Sequence, residues 1–131
     1  MILLDTHIWI WFLSNPEYLS KKVKAEIERA MAQTKIMVSS ISIWETALLV
    51  SRNRLKLKNS LDIWLKEAEK LPFISYIPVD NHLFLQSVQL PSSLHNDPAD
   101  RIIIATAMEQ KAILITKDKK LRDYPHVESL W

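Results

Sequence analysis

The first five residues, MILLD (1–5), form a short apolar run that ends in an acid, and this arrangement recurs along the chain. Two later runs, KIMVSS (35–40) and AILIT (112–116), are also apolar and are followed by polar residues that suit the start of a helix. A fourth run, SYIPV (75–79), has the same strand-like character. We interpret all four runs as short buried strands.

Between these strands, apolar residues recur at helical spacing, as Val23, Ile27 and Met31 do within one segment. The helical pattern is present in five segments, of which the fourth is the weakest: residues 20–33, 42–54, 60–71, 80–90 and 98–110. Short strands that alternate with helices predict an α/β fold of three layers, with a central, mainly parallel sheet and helices on both faces.

Length and composition narrow the class of protein. The chain has 131 residues, of which 48% are hydrophobic, so we expect a single domain spanning residues 1–131. The absence of Cys excludes disulfides and Cys-ligated zinc, and the absence of Gly excludes the glycine-rich loops that bind phosphates. The longest apolar runs are shorter than a membrane span and no basic leader is present, so we expect a cytoplasmic protein with no membrane segment.

Acidic residues stand where the predicted strands end. Asp5 closes the first strand, Glu45 lies just inside the helix after the second, and Asp118 follows the last strand. Asp97 and Asp100 open the helix that precedes this last strand. Because the carboxyl ends of parallel strands meet at one edge of a sheet, where open α/β sheets bind ligands, we expect these acids to lie together.

Each acid also has a purely structural interpretation as a helix cap. Ser42 and Glu45 fit a capping box, in which the glutamate reaches back to the first turn of the helix. Asp97, Asp5 and Asp118 each precede a predicted helix and suit its N-cap position. Capping does not explain convergence, however, because clustered carboxylates repel one another unless a cation is bound. With no Cys available, an all-oxygen site favours Mg²⁺ or Mn²⁺.

Four segments of the sequence carry a resemblance to a known family: LLDTHIWIW, SSISIWETALL, DPADRIIIATA and LITKDKKL. In this order and spacing they resemble the PIN domain, and in particular the VapC ribonuclease toxins of prokaryotic toxin-antitoxin pairs, over essentially the whole chain. The resemblance implies that Asp5, Glu45, Asp100 and Asp118 are the metal ligands and catalytic residues. Asp97 is an extra acid, which we rank below Asp100 as a candidate metal ligand and otherwise assign to capping and negative potential.

The resemblance also implies supporting residues around the metal site. Thr6 and Thr116 would hold carboxylates or water through their hydroxyl groups, or they are ordinary helix-start and strand-end threonines. Arg101 is not part of the resemblance, and its position beside Asp100 would let it pair with an acid or meet a substrate phosphate. His7 and His95 flank the acids, and a histidine beside a carboxylate is more often a hydrogen-bond partner than a general base.

The resemblance implies a Mg²⁺-dependent endoribonuclease that cleaves RNA phosphodiester bonds. It further implies that this enzyme is a toxin, that a cognate antitoxin protein holds it inactive, and that the toxin forms a homodimer. The alternative is a catalytically silent PIN-like module that binds RNA or serves as a scaffold. The complete set of acids favours the enzyme.

Two further features bear on partners. The runs RNRLKLK (52–58) and KDKKLR (117–122) each carry four positive charges, and they indicate either a solvated surface or contacts with RNA phosphates. The run IWIWFL (8–13) places Trp9 and Trp11 on roughly opposite faces of a helix. One face must enter the core, and the other is either also buried or exposed as a protein interface.

Overall fold

The structure is a computed structural model that describes residues 1–131. Its strands, numbered in chain order, are β1 (Ile2–Leu4), β2 (Ile36–Ser39), β3 (Ile74–Ile77), β4 (Ile113–Ile115) and β5 (Ser129–Leu130). They form one five-stranded sheet in the order β3-β2-β1-β4-β5, and every neighbouring pair is parallel. The predicted α/β fold with a mainly parallel sheet is therefore confirmed.

Seven α-helices surround the sheet, and one 3₁₀ turn at Pro16–Tyr18 follows the first of them. The helices are α1 (Thr6–Ser14), α2 (Lys21–Ala32), α3 (Ile41–Ser51), α4 (Leu61–Glu69), α5 (Asn81–Val88), α6 (Pro98–Gln110) and α7 (Lys119–Arg122). None of them is long and apolar enough to cross a membrane.

Strands β1 and β2 are buried on both faces, which explains why they appear in the sequence as continuous apolar runs. The prediction of a buried strand at 75–79 is wrong in part, because β3 ends at Ile77 and lies at the edge of the sheet, where Ser75 is exposed. Alternate residues of β1 enter different cores, since Ile2 and Leu4 belong to one hydrophobic cluster and Leu3 to the other. Helices α1, α2 and α4 supply the first cluster through residues such as Trp9 and Val23, whereas α6 and α7 supply the second. Helices thus cover both faces of the sheet, as predicted.

Two elements differ from the sequence-based expectation. Strand β5 was not predicted, because its two residues are too few to show an alternating pattern, although it pairs with β4 through Leu114 and Ile115. Helix α3 begins at Ile41 and ends at Ser51, three residues before the predicted end. Its end coincides with the turn in which Asn53 takes a positive φ of 56°, a conformation that Asn tolerates better than most residues.

The strand order places a crevice at the carboxyl end of the sheet. From β1 the chain first runs through β2 and β3 on one side, and later returns to form β4 and β5 on the other. The order therefore reverses between β1 and β4, and ligands of open α/β sheets bind at such a switch point. Asp5 follows β1 directly, and Thr116 follows β4 directly.

Candidate active site

A cleft of about 460 Å³ lies at this switch point. It is lined by all five of the acids that the sequence predicts to lie together, with a hydroxyl group, two aromatic rings, an isoleucine and one lysine. The lining residues are Asp5, Thr6, His7, Ile8, Trp11, Glu45, Asp97, Asp100, Lys117 and Asp118. The structure thus brings together carboxylates from four separate segments of the chain.

Asp5 is buried in the cleft and accepts hydrogen bonds from the segments that follow β1 and β4. Its Oδ1 accepts a hydrogen bond of 2.8 Å from the backbone N–H of Thr6, and its Oδ2 accepts one of 2.7 Å from Thr116 Oγ1. Burial raises the pKa of Asp5, and these two hydrogen bonds oppose that shift by favouring the charged form. Asp5 is the N-cap of α1, so its capping interpretation is also correct.

Asp118 is connected to the same network through Thr116. The backbone N–H of Asp118 donates to Thr116 Oγ1 at 3.1 Å, while the Thr116 hydroxyl donates onward to Asp5. The Asp118 carboxylate is exposed, and its Oδ1 caps α7 by accepting a hydrogen bond of 2.8 Å from the N–H of Lys120. One oxygen of Asp118 therefore carries no cap hydrogen bond and is free to bind a ligand in the cleft.

Glu45 is oriented by hydroxyl groups and not by a capping box. Thr6 Oγ1 donates to Glu45 Oε1, and because Thr6 has a single hydroxyl proton, Ser42 Oγ must donate to Thr6 at 2.8 Å. Ser42 is fully buried inside α3, whose N-cap is Ser40, so the capping-box interpretation is wrong. The sequence pattern was misleading because α3 starts two residues earlier than its S-x-x-E motif requires.

Asp97 and Asp100 lie on the first turn of α6 and have different environments. Asp97 is exposed and caps the helix, with its Oδ1 accepting a hydrogen bond of 2.9 Å from the N–H of Asp100. Asp100 is half-buried, and its Oδ2 lies 2.7 Å from His95 Nε2. His95 is thus a hydrogen-bond partner that orients Asp100, whereas His7 is exposed in the cleft, with its ring centroid 6.1 Å from that of Trp11.

The carboxylates are close enough to destabilise one another's charged forms. One oxygen from each of Glu45, Asp97 and Asp100 lies within 4.8 Å of the others. Burial, followed by repulsion from Asp5 and the neighbouring acids, raises the pKa of Glu45 to about 7 and that of Asp100 to about 6. A cluster of oxygen donors with unbalanced negative charge fits a hard divalent cation, which would relieve this repulsion.

A family model described as the PIN domain matches residues 2–127. The chain belongs to the PIN domain family. It is 36% identical over 126 residues to Ribonuclease VapC22 of Mycobacterium tuberculosis (strain ATCC 25618 / H37Rv), in an alignment that covers 95% of this chain and 92% of that protein. The resemblance seen in the sequence is therefore confirmed.

Solved structures with the same fold include a toxin-antitoxin complex from Klebsiella pneumoniae, which matches with a TM-score of 0.63 and 20% identity over 97% of this chain and 95% of that one. This PIN domain matches VapBC2 from Rickettsia felis bound to a DNA fragment from their promoter with a TM-score of 0.71 and 20% identity, over 99% of this chain and 98% of that one. It matches FitAcB from Neisseria gonorrhoeae with a TM-score of 0.70 and 23% identity, over 100% and 97% of the two chains. At such low identities the likeness shows the fold alone.

Within this PIN domain, Arg101 has a different role from the one expected. Its guanidinium donates to backbone carbonyl oxygens, at 2.8 Å to Ser87 and at 2.9 Å to Leu94, with longer hydrogen bonds to Val88 and His95. It neither pairs with an acid nor faces the cleft. The side chain instead ties the end of α5 to the segment before α6, an arrangement that no local sequence pattern could reveal.

Part of the basic run at 52–58, just after α3, lies near the acids. Arg52 and Arg54 line a second cleft, of about 300 Å³, which also includes His7, Glu45 and Asp97. The two clefts of the PIN domain share these three residues and are therefore adjacent. In the second basic run, Lys117 lies in the acidic cleft itself.

The tryptophans of α1 have separate environments. Trp9 is completely buried in the first hydrophobic cluster, whereas Trp11 is only partly buried and lines the acidic cleft. The expectation that one face enters the core is correct. For the other face, the sequence pattern indicated only the core or a protein interface. It did not indicate that Trp11 adjoins the acids, because helical periodicity does not show which neighbouring segment a helix face contacts.

Proposed function

We propose that residues 1–131 act as a single metal-dependent endoribonuclease domain that uses Mg²⁺ or Mn²⁺. The observation that carries this proposal is the convergence of five carboxylates in one cleft at the switch point of the sheet. The name of the Mycobacterium tuberculosis relative, a ribonuclease at 36% identity, supports RNA as the substrate. We assign Asp5, Glu45, Asp100 and Asp118 as the ligands and catalytic residues, with Asp97 as an additional ligand.

The surrounding residues prepare these carboxylates for metal binding. Thr116 and Thr6 donate to Asp5 and Glu45 and so favour their charged forms, which a cation requires. His95 orients Asp100 from the side, so we assign it a positioning role. When bound, a divalent ion supplies Lewis-acid chemistry that activates water and offsets the charge that develops on the phosphodiester.

Substrate binding is supported by positive charge on two sides of the acids. Arg52 and Arg54 are exposed in the adjacent cleft, and Lys117 is exposed within the acidic cleft. Phosphates of a bound strand can thus be neutralised on both sides of the position that a metal ion would occupy. We therefore assign the two basic runs to RNA binding and not only to solvation.

We further propose that the nuclease is a toxin restrained by a cognate antitoxin and that it forms a homodimer. The proposal is supported by the name of the ribonuclease relative and by the toxin-antitoxin complex from Klebsiella pneumoniae that shares the fold. It is also supported by large exposed apolar side chains that do not line the acidic cleft, among them Phe84, Leu85 and Val88 on α5. Exposed apolar surface of this kind is typical of protein interfaces.

The test is an RNA cleavage assay with the purified chain. We expect single-stranded or structured RNA to be cut in Mg²⁺ or Mn²⁺ and cleavage to stop when EDTA is added. Activity should return when excess Mg²⁺ follows the EDTA, which separates metal removal from irreversible damage. Undiminished cleavage in EDTA would refute the metal mechanism, and RNA that is bound but never cut would favour a silent RNA-binding module.

A further inference from the structure

Three aromatic rings and one lysine form a surface beside the acidic cleft, which we call the aromatic shelf: Trp11, Tyr18, Trp131 and Lys117. The ring of Trp11 is 5.7 Å from that of Tyr18 and 6.1 Å from that of Trp131, measured between ring centroids. The Lys117 Nζ lies 5.9 Å from the Trp11 ring and 5.5 Å from the Trp131 ring. The shelf is continuous with the acids, because Trp11 and Lys117 also line their cleft.

The shelf combines anchored rings with accessible faces. Trp11 and Trp131 pack against the first hydrophobic cluster on one side, yet both remain partly accessible. Tyr18 is 57% exposed, whereas Trp9, on the same helix as Trp11, is fully buried and anchors α1 in the core. The rings of the shelf are therefore held in place by packing while part of their surface stays open to a ligand.

Lys117 has a charge that the acids nearby do not neutralise. Its ammonium is exposed and takes part in none of the ion pairs of the structure, although five carboxylates line the same cleft. Its cation–π interactions with two tryptophans hold it over the shelf. A ligand at this position would meet an aromatic surface and a positive charge together.

We propose that the aromatic shelf stacks an unpaired base of single-stranded RNA, next to the phosphodiester that the acids would hold, and that Lys117 contacts a backbone phosphate. The inference rests on the proposed nuclease function and adds to it a base-binding subsite beside the acids. Aromatic rings interleaved with cations are the means by which proteins bind single strands without reading sequence. A base within a duplex is already stacked on its neighbours and cannot use the shelf.

Charge complementarity favours RNA over a basic peptide at this surface. A cationic segment would be attracted by the carboxylates but repelled by Lys117 on one side and by Arg52 and Arg54 on the other. RNA is a polyanion, so these three cationic side chains would attract it and only the carboxylates would repel it. A metal ion bound to the carboxylates would remove that repulsion.

The experiment measures RNA binding separately from cleavage. A 5′-fluorescein-labelled 12-nucleotide oligouridylate is titrated with the full chain in Ca²⁺, and fluorescence anisotropy reports Kd while a gel confirms that the RNA is intact. We expect Trp11→Leu to weaken binding about fivefold or more, and Trp11→Phe to retain most of the affinity. Phe84→Leu is the matched control, because Phe84 is 50% exposed on α5 and lines no part of the acidic cleft.

A second measurement identifies stacking as the cause. Single abasic sites are moved along the oligonucleotide, and each is titrated against the parent and Trp11→Leu. At one or two positions the abasic site should weaken binding to the parent about fivefold but should leave binding to the variant nearly unchanged, because the variant has no ring on which that base could stack. Equal abasic penalties in parent and variant at every position would overturn the proposal.

Two variants keep the test decisive if Trp11→Leu fails to fold. Tyr18→Ala and Lys117→Gln alter exposed side chains of the shelf, and each should weaken binding of the oligouridylate relative to Phe84→Leu. Affinities within twofold of the parent for both would overturn the shelf and would favour a protein partner at this surface instead. If the protein cuts RNA but does not stack a base, only this inference fails. If it stacks a base but does not cut RNA, only the proposed nuclease function fails.

Discussion

Thr116 Oγ1 donates a hydrogen bond of 2.7 Å to Asp5 Oδ2, and so joins two buried side chains that are 111 residues apart in the chain. The hydrogen bond spans the adjacent strands β1 and β4 at the point where the sheet order reverses. Because it is made to a buried carboxylate, it contributes both to the stability of the fold and to the charge state of the candidate metal site.

Replacing Thr116 with valine should therefore destabilise the protein by about 1.5 to 3 kcal/mol, the range for a hydrogen bond to a charged group. Valine keeps the shape, but Asp5 loses a donor and the N–H of Asp118 loses its acceptor. Urea unfolding at pH 7 in EDTA measures the change. Thr106→Val is the matched control, because the equally buried Thr106 donates only to the Ile102 carbonyl. Equal losses of stability for the two variants would contradict a special role for Thr116.

Removing charge from the acidic cleft should abolish cleavage and stabilise the metal-free protein. In Asp100→Asn and Glu45→Gln the shape is kept while one repelling charge is lost, so both should melt higher than the parent in EDTA. Added Mg²⁺ should raise the melting temperature of the parent more than that of either variant. Glu109→Gln, at the other end of the same helix, removes an acid that lies 3.8 Å from His82 and outside the cleft, and it should change neither cleavage nor the stabilisation by Mg²⁺. If the variants melt lower in EDTA and still cut RNA, these acids have only a structural role.

The stability of the metal-free protein should fall as the pH rises from about 4 to about 7. In the folded state the pKa of Glu45 is raised from 4.5 to about 7 and that of Asp100 from 3.8 to about 6, so the folded chain binds more protons than the unfolded chain in this window. Their contribution is fully present below pH 4 and is lost as the pH rises through the folded-state values. Urea unfolding in EDTA across this range measures the slope, which Glu45→Gln should flatten. An equal slope in parent and variant would show that Glu45 does not titrate as the structure indicates.

Neutralising Arg52 and Arg54 together should weaken RNA binding and reduce its salt dependence. The slope of log Kd against log salt concentration should fall by about one unit for every phosphate that the variant no longer neutralises. The control is a chain with Lys21→Gln and Lys22→Gln, which removes the same charge from exposed positions of α2 that line neither cleft. If both double variants change the slope equally, Arg52 and Arg54 act through net charge and not by touching the RNA.

Replacing Lys111 with glycine should raise the free energy of unfolding. It ends α6 in the left-handed conformation, with φ of 52°, in a chain that contains no glycine. Relief of the left-handed strain, partly offset by the entropy of an unfolded glycine, should stabilise the fold by about 0.5 to 1 kcal/mol. Lys24→Gly, at a helical position of α2, should instead destabilise by about 1 kcal/mol. A thermal melt of each variant distinguishes the two signs.

Several features of this protein follow from its sequence alone. Apolar runs such as that of Ile2 to Leu4, placed between helical patterns, sufficed to predict a parallel sheet covered on both faces. The same runs located Asp5 and Asp118 at strand ends, and therefore at one edge of the sheet. These inferences succeed because the periodicity of helices and strands depends on local backbone geometry and on which side chains must leave water.

Other features were decided only by the tertiary structure. The sequence could not show that Ser42 lies inside α3 and donates to Thr6, that Arg101 binds backbone carbonyls, or that Trp11 adjoins the acids. Hydrogen bonds form only within a narrow range of distance and angle, and two side chains distant in sequence reach that range only after the strands and helices have packed. The sequence therefore determined which acids reach the edge of the sheet, and packing decided which groups orient them.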